Sequence, residues 1–117
     1  MGAGAVPNVV TIAGVDPSGG AGVLADVKAI SANGAYACGV IAALTAQNTQ
    51  GVTGIQPVPA AFVRLQIDTL FSDLAIAAVK IGMLGQAAVT LAVADRLAHW
   101  KPVTCVLDPV MIAKSGD

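Results

Sequence analysis

The chain has 117 residues, enough for one modest hydrophobic core and therefore for one domain. It is 56% apolar and only 11% charged, the balance of a chain that folds around a core rather than of a disordered one. A net charge of -1 without a cluster of Lys or Arg argues against nucleic acid or an anionic membrane surface as partner, and the apolar run from Gly34 to Ala46 is too short and too interrupted to span a bilayer. No basic segment precedes an apolar one near Met1, so a cytoplasmic location is expected. The first strand is expected over Val9 to Gly14, followed by a turn-rich stretch, Asp16-Pro17-Ser18-Gly19-Gly20, and a helix beginning near Gly20 or Ala21. Within that helix Val23, Val27 and Ile30 recur on one stripe, and Asn33-Gly34 supplies a left-handed stop.

The second strand falls within Tyr36 to Thr45 and is apolar on both faces, as a strand covered by helices on each side should be. A polar, glycine-containing stretch from Gln47 to Gly54 reads as a loop. Pro57 and Pro59 then introduce a second helix that buries Val63, Ile67, Leu70, Phe71 and Leu74 and turns Arg64, Asp68 and Ser72 to solvent. Ala77 to Ile81 is expected as the third strand, Ala87 to Ala98 as the third helix, stopped by Pro102, and Val103 to Leu107 as the fourth strand. Four strands and three helices in alternation are the sequence form of βαβ units. The expected fold class is α/β, a Rossmann-type twisted parallel sheet with helices on both faces. Cys38 and Cys105 are far apart and the single His99 cannot complete a metal site, so both cysteines are expected as buried thiols.

Such sheets bind ligands beyond the carboxyl ends of their strands, which directs attention to four loops. They read Gly14-Val15-Asp16-Pro17-Ser18-Gly19-Gly20-Ala21-Gly22, then Thr45-Ala46-Gln47-Asn48-Thr49, then Lys80-Ile81-Gly82-Met83-Leu84-Gly85, and last Asp108-Pro109-Val110-Met111 running on to Ala113-Lys114-Ser115-Gly116-Asp117. The first loop is neither a Walker motif, since no Gly-Lys-Ser/Thr follows, nor a dinucleotide fingerprint with its usual spacing. A carboxamide such as that of Gln47 presents one acceptor and two donors, so it can accept from an exocyclic amine while donating to an adjacent ring nitrogen. Asp108 and Lys114 are charged groups of the kind that hold magnesium and offset phosphate charge, although their spacing alone proves nothing.

In this order and spacing the four loops resemble those of the hydroxymethylpyrimidine/phosphomethylpyrimidine kinases, the thiamine-pathway members of the ribokinase-like superfamily, and the resemblance covers nearly the whole chain. It implies that Gly14 and Ala21 line a pyrimidine pocket, that Gln47 reads the aminopyrimidine, and that Thr45, Met83 and Val110 supply walls around the flat ring. Asp26 is the nearest helical carboxylate and is expected to hold the ring or its polar neighbours. Asp108 is expected on the nucleotide and metal side of the cleft, as a Mg2+ ligand, with Lys114 near the phosphates of ATP; Lys80 reads as a strand terminator. Val15, Leu24 and Asn33 depart from the residues usual in the family, and none of them touches Gln47 or Met83 in the motif.

In that family the anion hole and the catalytic cysteine belong to a later Gly-Thr-Gly-Cys-like segment, and most of the ATP site lies with it. Neither Cys38 nor Cys105 stands in such a segment, so no catalytic residue is expected within 1–117, which reads as the substrate-pocket half of one kinase domain, inactive alone. The expected substrate is 4-amino-5-hydroxymethyl-2-methylpyrimidine and then its monophosphate, with a homodimer open to the full-length enzyme. A pyridoxal-type vitamin B6 kinase, a non-catalytic pyrimidine-binding module and a plain structural fragment are the alternatives.

Overall fold

The computed structural model describes residues 6–108. Five strands and three helices follow one another as β1 (Asn8–Val15), α1 (Gly22–Ala32), β2 (Tyr36–Asn48), β3 (Gly51–Pro57), α2 (Ala60–Phe71), β4 (Ile76–Ile81), α3 (Ala87–Trp100) and β5 (Thr104–Leu107). They form one sheet in the order β3-β2-β1-β4-β5. Strands β2, β1, β4 and β5 pair in parallel, whereas β3 runs antiparallel along β2. The expectation of four strands in a purely parallel sheet is therefore corrected to five strands in a mixed one. The residues read as a polar loop after Gln47 form a tight return, in which Asn48 Oδ1 accepts from the backbone of Gln50 and Gly51, and then the edge strand β3.

Alternation along β1 separates the two faces of the sheet. Val10 and Ile12 are fully buried in the main apolar cluster with Val40, Val63, Ile67, Val79, Val89 and Val93, so α2 and α3 cover that face. Thr11 points the other way, to Asp26 on α1. Each fully buried Val or Ile of this cluster stabilises the fold by about 1.5–3 kcal/mol relative to an exposed one. Helix α1 ends as Asn33-Gly34 predicts: Gly34 has φ +87, Ala35 N–H donates to the Ile30 carbonyl and Gly34 N–H to that of Ser31, which together make a Schellman stop.

Two expectations about side chains are corrected here. Cys38 is buried but Cys105, on edge strand β5, is exposed. Asp68 and Arg64 do not simply face solvent: Asp68 Oδ1 accepts from Trp100 Nε1 at 2.8 Å and Arg96 Nη1 at 3.0 Å, while Arg64 Nη2 donates to Asp95 Oδ2 at 2.6 Å. These bonds tie α2 to α3, and the Trp100 and Arg96 hydrogen bonds hold the Asp68 carboxyl below its ordinary range.

The strand order places a switch point beside β1, where β2 lies on one side with α1 over one face and β4 on the other with α2 and α3 over the opposite face. Ligand crevices of doubly wound sheets open at such a point, outside the carboxyl ends of the strands.

Candidate functional site

A cavity of about 380 Å³ opens at that switch point. Its floor is the carboxyl end of β1, continued by Asp16, and the start of α1 at Ala21 and Gly22. One wall is β2 with Ala43, Thr45 and Gln47, three alternate residues of one strand face. The other is the end of β4 and its loop, from Lys80 through Met83 to Gly85, with Asp108 after β5. Val52 and Ile55 of β3 stand over the mouth as apolar surface, Ile55 being 66% exposed. A mostly apolar space with a few converging polar groups suits a flat heteroaromatic ring.

The loop after β1 is held by Asp16, which is only 6% exposed. Its Oδ1 accepts from the Ser18 hydroxyl at 2.7 Å and the Ser18 N–H at 2.9 Å, and its Oδ2 from the Gly20 N–H at 3.2 Å. The Ser18 hydroxyl first, and then the N–H groups of Ser18, Gly20 and Ala21, keep the carboxyl below the ordinary value of 3.8 against the opposing effect of burial. Gly22 makes the loop possible. It has φ +66, and a Cβ there would stand 2.2 Å from the Gly14 carbonyl oxygen, so only glycine lets the chain fold back onto β1 before the helix starts.

At the far wall Lys80 gathers two carboxylates from distant parts of the chain. Its Nζ lies 2.9 Å from both carboxylate oxygens of Asp26 and 3.3 Å from Oδ2 of Asp108. Asp26 Oδ2 also accepts from the buried Thr11 hydroxyl at 2.6 Å. Burial disfavours the ammonium, but the hydrogen bonds and charges of Asp26 and Asp108 outweigh it and raise the Lys80 pKa above 10.5. Lys80 is thus a cation held at the edge of the cavity rather than a strand terminator.

Of the residues singled out in the sequence, Gly14, Ala21, Thr45, Gln47, Met83 and Asp108 all line this cavity. Asp26 stands behind it, gripping the lysine that does line it. Val110 and Lys114 lie outside the described residues. Reading the sequence placed Asp16, Gly22 and Lys80 in the ligand-facing loops without a role at the site, and missed Val52 and Ile55. Asp16 carries a legible signal, because Asp-Pro-Ser-Gly is the pattern of a side chain that caps its own turn. Lys80 carries none, since its partners are remote in sequence. Among the described residues no three His, Cys, Asp or Glu side chains converge as a metal site, and no helix is long and apolar enough to cross a membrane.

An α/β sheet with this order and with a ring-sized cavity at its switch point defines a domain of the ribokinase-like class. Residues 16–117 match the family model described as phosphomethylpyrimidine kinase, and the chain belongs to that family. It is 54% identical over 110 residues to the hydroxymethylpyrimidine/phosphomethylpyrimidine kinase of Escherichia coli K12, covering 94% of this chain and 41% of that protein. The crystal structure of phosphomethylpyrimidine kinase from Clostridium difficile 630 superposes with a TM-score of 0.90 at 44% identity, over 95% of this chain and 48% of that one. Pyridoxal kinase from Staphylococcus aureus, in complex with AMP-PCP and pyridoxal, superposes with a TM-score of 0.81 at 30% identity, over 93% of this chain and 41% of that one. The chain thus spans about two fifths of the length of the Escherichia coli relative.

Proposed function

We propose that the protein carrying this chain phosphorylates the hydroxymethyl group of 4-amino-5-hydroxymethyl-2-methylpyrimidine, and then the resulting monophosphate, with ATP in thiamine biosynthesis. The observation that carries the reading is Gln47, a half-buried carboxamide in the wall of an otherwise largely apolar cavity. It offers the acceptor and donor that an aminopyrimidine edge requires. The Escherichia coli relative, a kinase of that substrate and its monophosphate by name, supports the same assignment.

In this reading the residues of the chain bind and orient. Gly14, Ala21 and Met83 sandwich the ring, Val52 and Ile55 exclude water from its open side, and Gln47 sets its rotation, which turns phosphoryl transfer into a problem of positioning already solved. Magnesium, when bound, would supply charge neutralisation on the phosphates. Asp108 is the carboxylate suited to it, because Asp16 is spent on its own loop and Asp26 is enclosed by Lys80 and Thr11, whereas Asp108 meets Lys80 only at 3.3 Å and keeps more than half of its side chain exposed. A single half-exposed carboxylate would help to hold an ion that arrives with the nucleotide. The resemblance assigns the anion hole and catalytic cysteine to a later segment, so activity belongs to the longer polypeptide.

The likeness to a pyridoxal-bound kinase favours vitamin B6 phosphorylation as the second reading. Calorimetric titration of the intact polypeptide with the aminopyrimidine and with pyridoxal, beside a Gln47→Ala variant, separates the two. The proposal expects saturable pyrimidine binding weakened at least about tenfold by the substitution, the equivalent of one lost hydrogen bond. Tighter binding of pyridoxal, unaffected by Gln47→Ala, sinks it.

A further inference from the structure

Thr45 has one hydroxyl proton and faces two oxygens. Its Oγ1 lies 2.8 Å from the carbonyl oxygen of Val15, at the end of β1, and 3.0 Å from Oε1 of Gln47, two residues further along β2. A hydroxyl donates once, and neither a carbonyl nor a carboxamide oxygen can donate in return. With Gln47 in that orientation, one of the two contacts sets lone pair against lone pair in a partly buried place. The Val15 carbonyl has no other role to adopt. The carboxamide does: a half turn about its terminal torsion exchanges Oε1 with Nε2, two groups of nearly the same size. Nε2 then donates to Thr45 Oγ1, Thr45 donates to Val15, and each group has its complement. Among the described residues the other end of the amide has no protein partner, so this turn decides what is offered to a ligand.

We infer that Thr45 is a positioning residue that commits its proton to Val15 and, by accepting from Nε2, fixes Gln47 with Oε1 free toward the cavity as a hydrogen-bond acceptor. The inference rests on the pyrimidine reading above and sharpens it. A ring presenting an exocyclic amine meets an acceptor, and the second N–H of Nε2 remains for the neighbouring ring nitrogen. A ring presenting a carbonyl and a ring N–H at the same edge meets the inverted pattern and is refused. The chain geometry supports this use of two adjacent functions: Thr45 and Gln47 share a strand face, and both line the cavity.

The test compares 4-amino-5-hydroxymethyl-2-methylpyrimidine with its 4-oxo counterpart, titrated into the intact polypeptide as wild type, Thr45→Val and Thr45→Ser. The wild type should prefer the amine by at least about 100-fold, since a site built around a hydrogen bond rejects the inverted partner strongly. In Thr45→Val the amide is free to turn, and the preference should fall below about tenfold through gained affinity for the oxo ring; Thr45→Ser should restore it. Equal weakening of both ligands in the valine variant, with the preference kept, would make Thr45 a packing residue and overturn the inference. The side-chain amide protons of Gln47 in the unliganded wild type give a reading that needs no variant. One of them should exchange with solvent more slowly than the other, and two equally fast protons count against the inference. Failure of the wild type to bind either ring removes the pyrimidine reading itself, a different result from the loss of selectivity control.

Discussion

The ammonium of Lys80 on β4 is clamped by both carboxylate oxygens of Asp26 on α1, each at 2.9 Å, across 54 residues of sequence. The pair joins a helix on one face of the sheet to the strand at the switch point, and it aims a fixed positive charge at Asp108. Removing one member of such a pair strands the other, so Lys80→Met and Asp26→Leu should each destabilise the chain by about 2 kcal/mol, below the cost of a fully enclosed pair because both side chains keep some water. The double variant should recover part of that loss. Urea unfolding of the four forms measures the coupling, and strictly additive losses would show that the two groups act independently.

The same pair sets an alkaline limit. Lys80 has a pKa raised above 10.5 in the folded chain, so its contribution is fully present below that ordinary value and disappears as pH rises through the folded one. Thermal melts of the wild type should decline above pH 10.5 more steeply than those of Lys80→Met. Parallel curves would count against a stabilising lysine.

Asp16 governs the acid side. Its pKa is held below 3.8, which makes its contribution complete above that value and lost as pH falls through the lower folded one. Asp16→Asn should melt lower at neutral pH, because the new amide sets an N–H against one of the donors that Asp16 satisfies at Ser18 and Gly20, and its melting point should change less below pH 3.8. A variant as stable as the wild type at neutral pH would mean that the loop does not depend on this cap.

Two glycines with left-handed backbones separate strain from collision. Gly34 has φ +87 and open space around its Cβ position, so Gly34→Ala should cost only about 1 kcal/mol for the conformation. Gly22 has φ +66, and its Cβ would strike the backbone of Gly14. Gly22→Ala should therefore cost about 4 kcal/mol or more, since backbone cannot move aside as a flexible side chain can. Denaturant midpoints of the two variants check the contrast, and equal losses would refute it.

Local pattern made most of this fold readable. The helix stripes and the apolar runs at Val10 and Val79 are decided within a few residues, and the loops that follow them line the cavity. Strand β3 was hidden for a physical reason: its seven residues include two Gly and one Pro, and most of them are exposed, so neither composition nor a clean alternation marks it. Its pairing with β2 also slips between Ala46 and Gln47, which breaks the period that would have revealed the strand. Lys80 was hidden for another reason, because a lone lysine ending an apolar run acquires its meaning only when Asp26 and Asp108 are brought to it.

Ile55 puts the overlooked strand to use. At 66% exposure in the free chain it contributes little to folding, yet it stands over the cavity mouth with Val52, where a bound ring would cover it. Ile55→Ala should leave the melting temperature nearly unchanged, because little apolar surface is lost from the folded interior. Pyrimidine affinity should nevertheless fall about fivefold to tenfold, the effect of roughly 40–55 Å² of apolar contact at about 25 cal/mol per Å². The opposite pattern, a large fall in melting temperature with unchanged affinity, would mean that β3 braces the sheet edge and takes no part in closing the site.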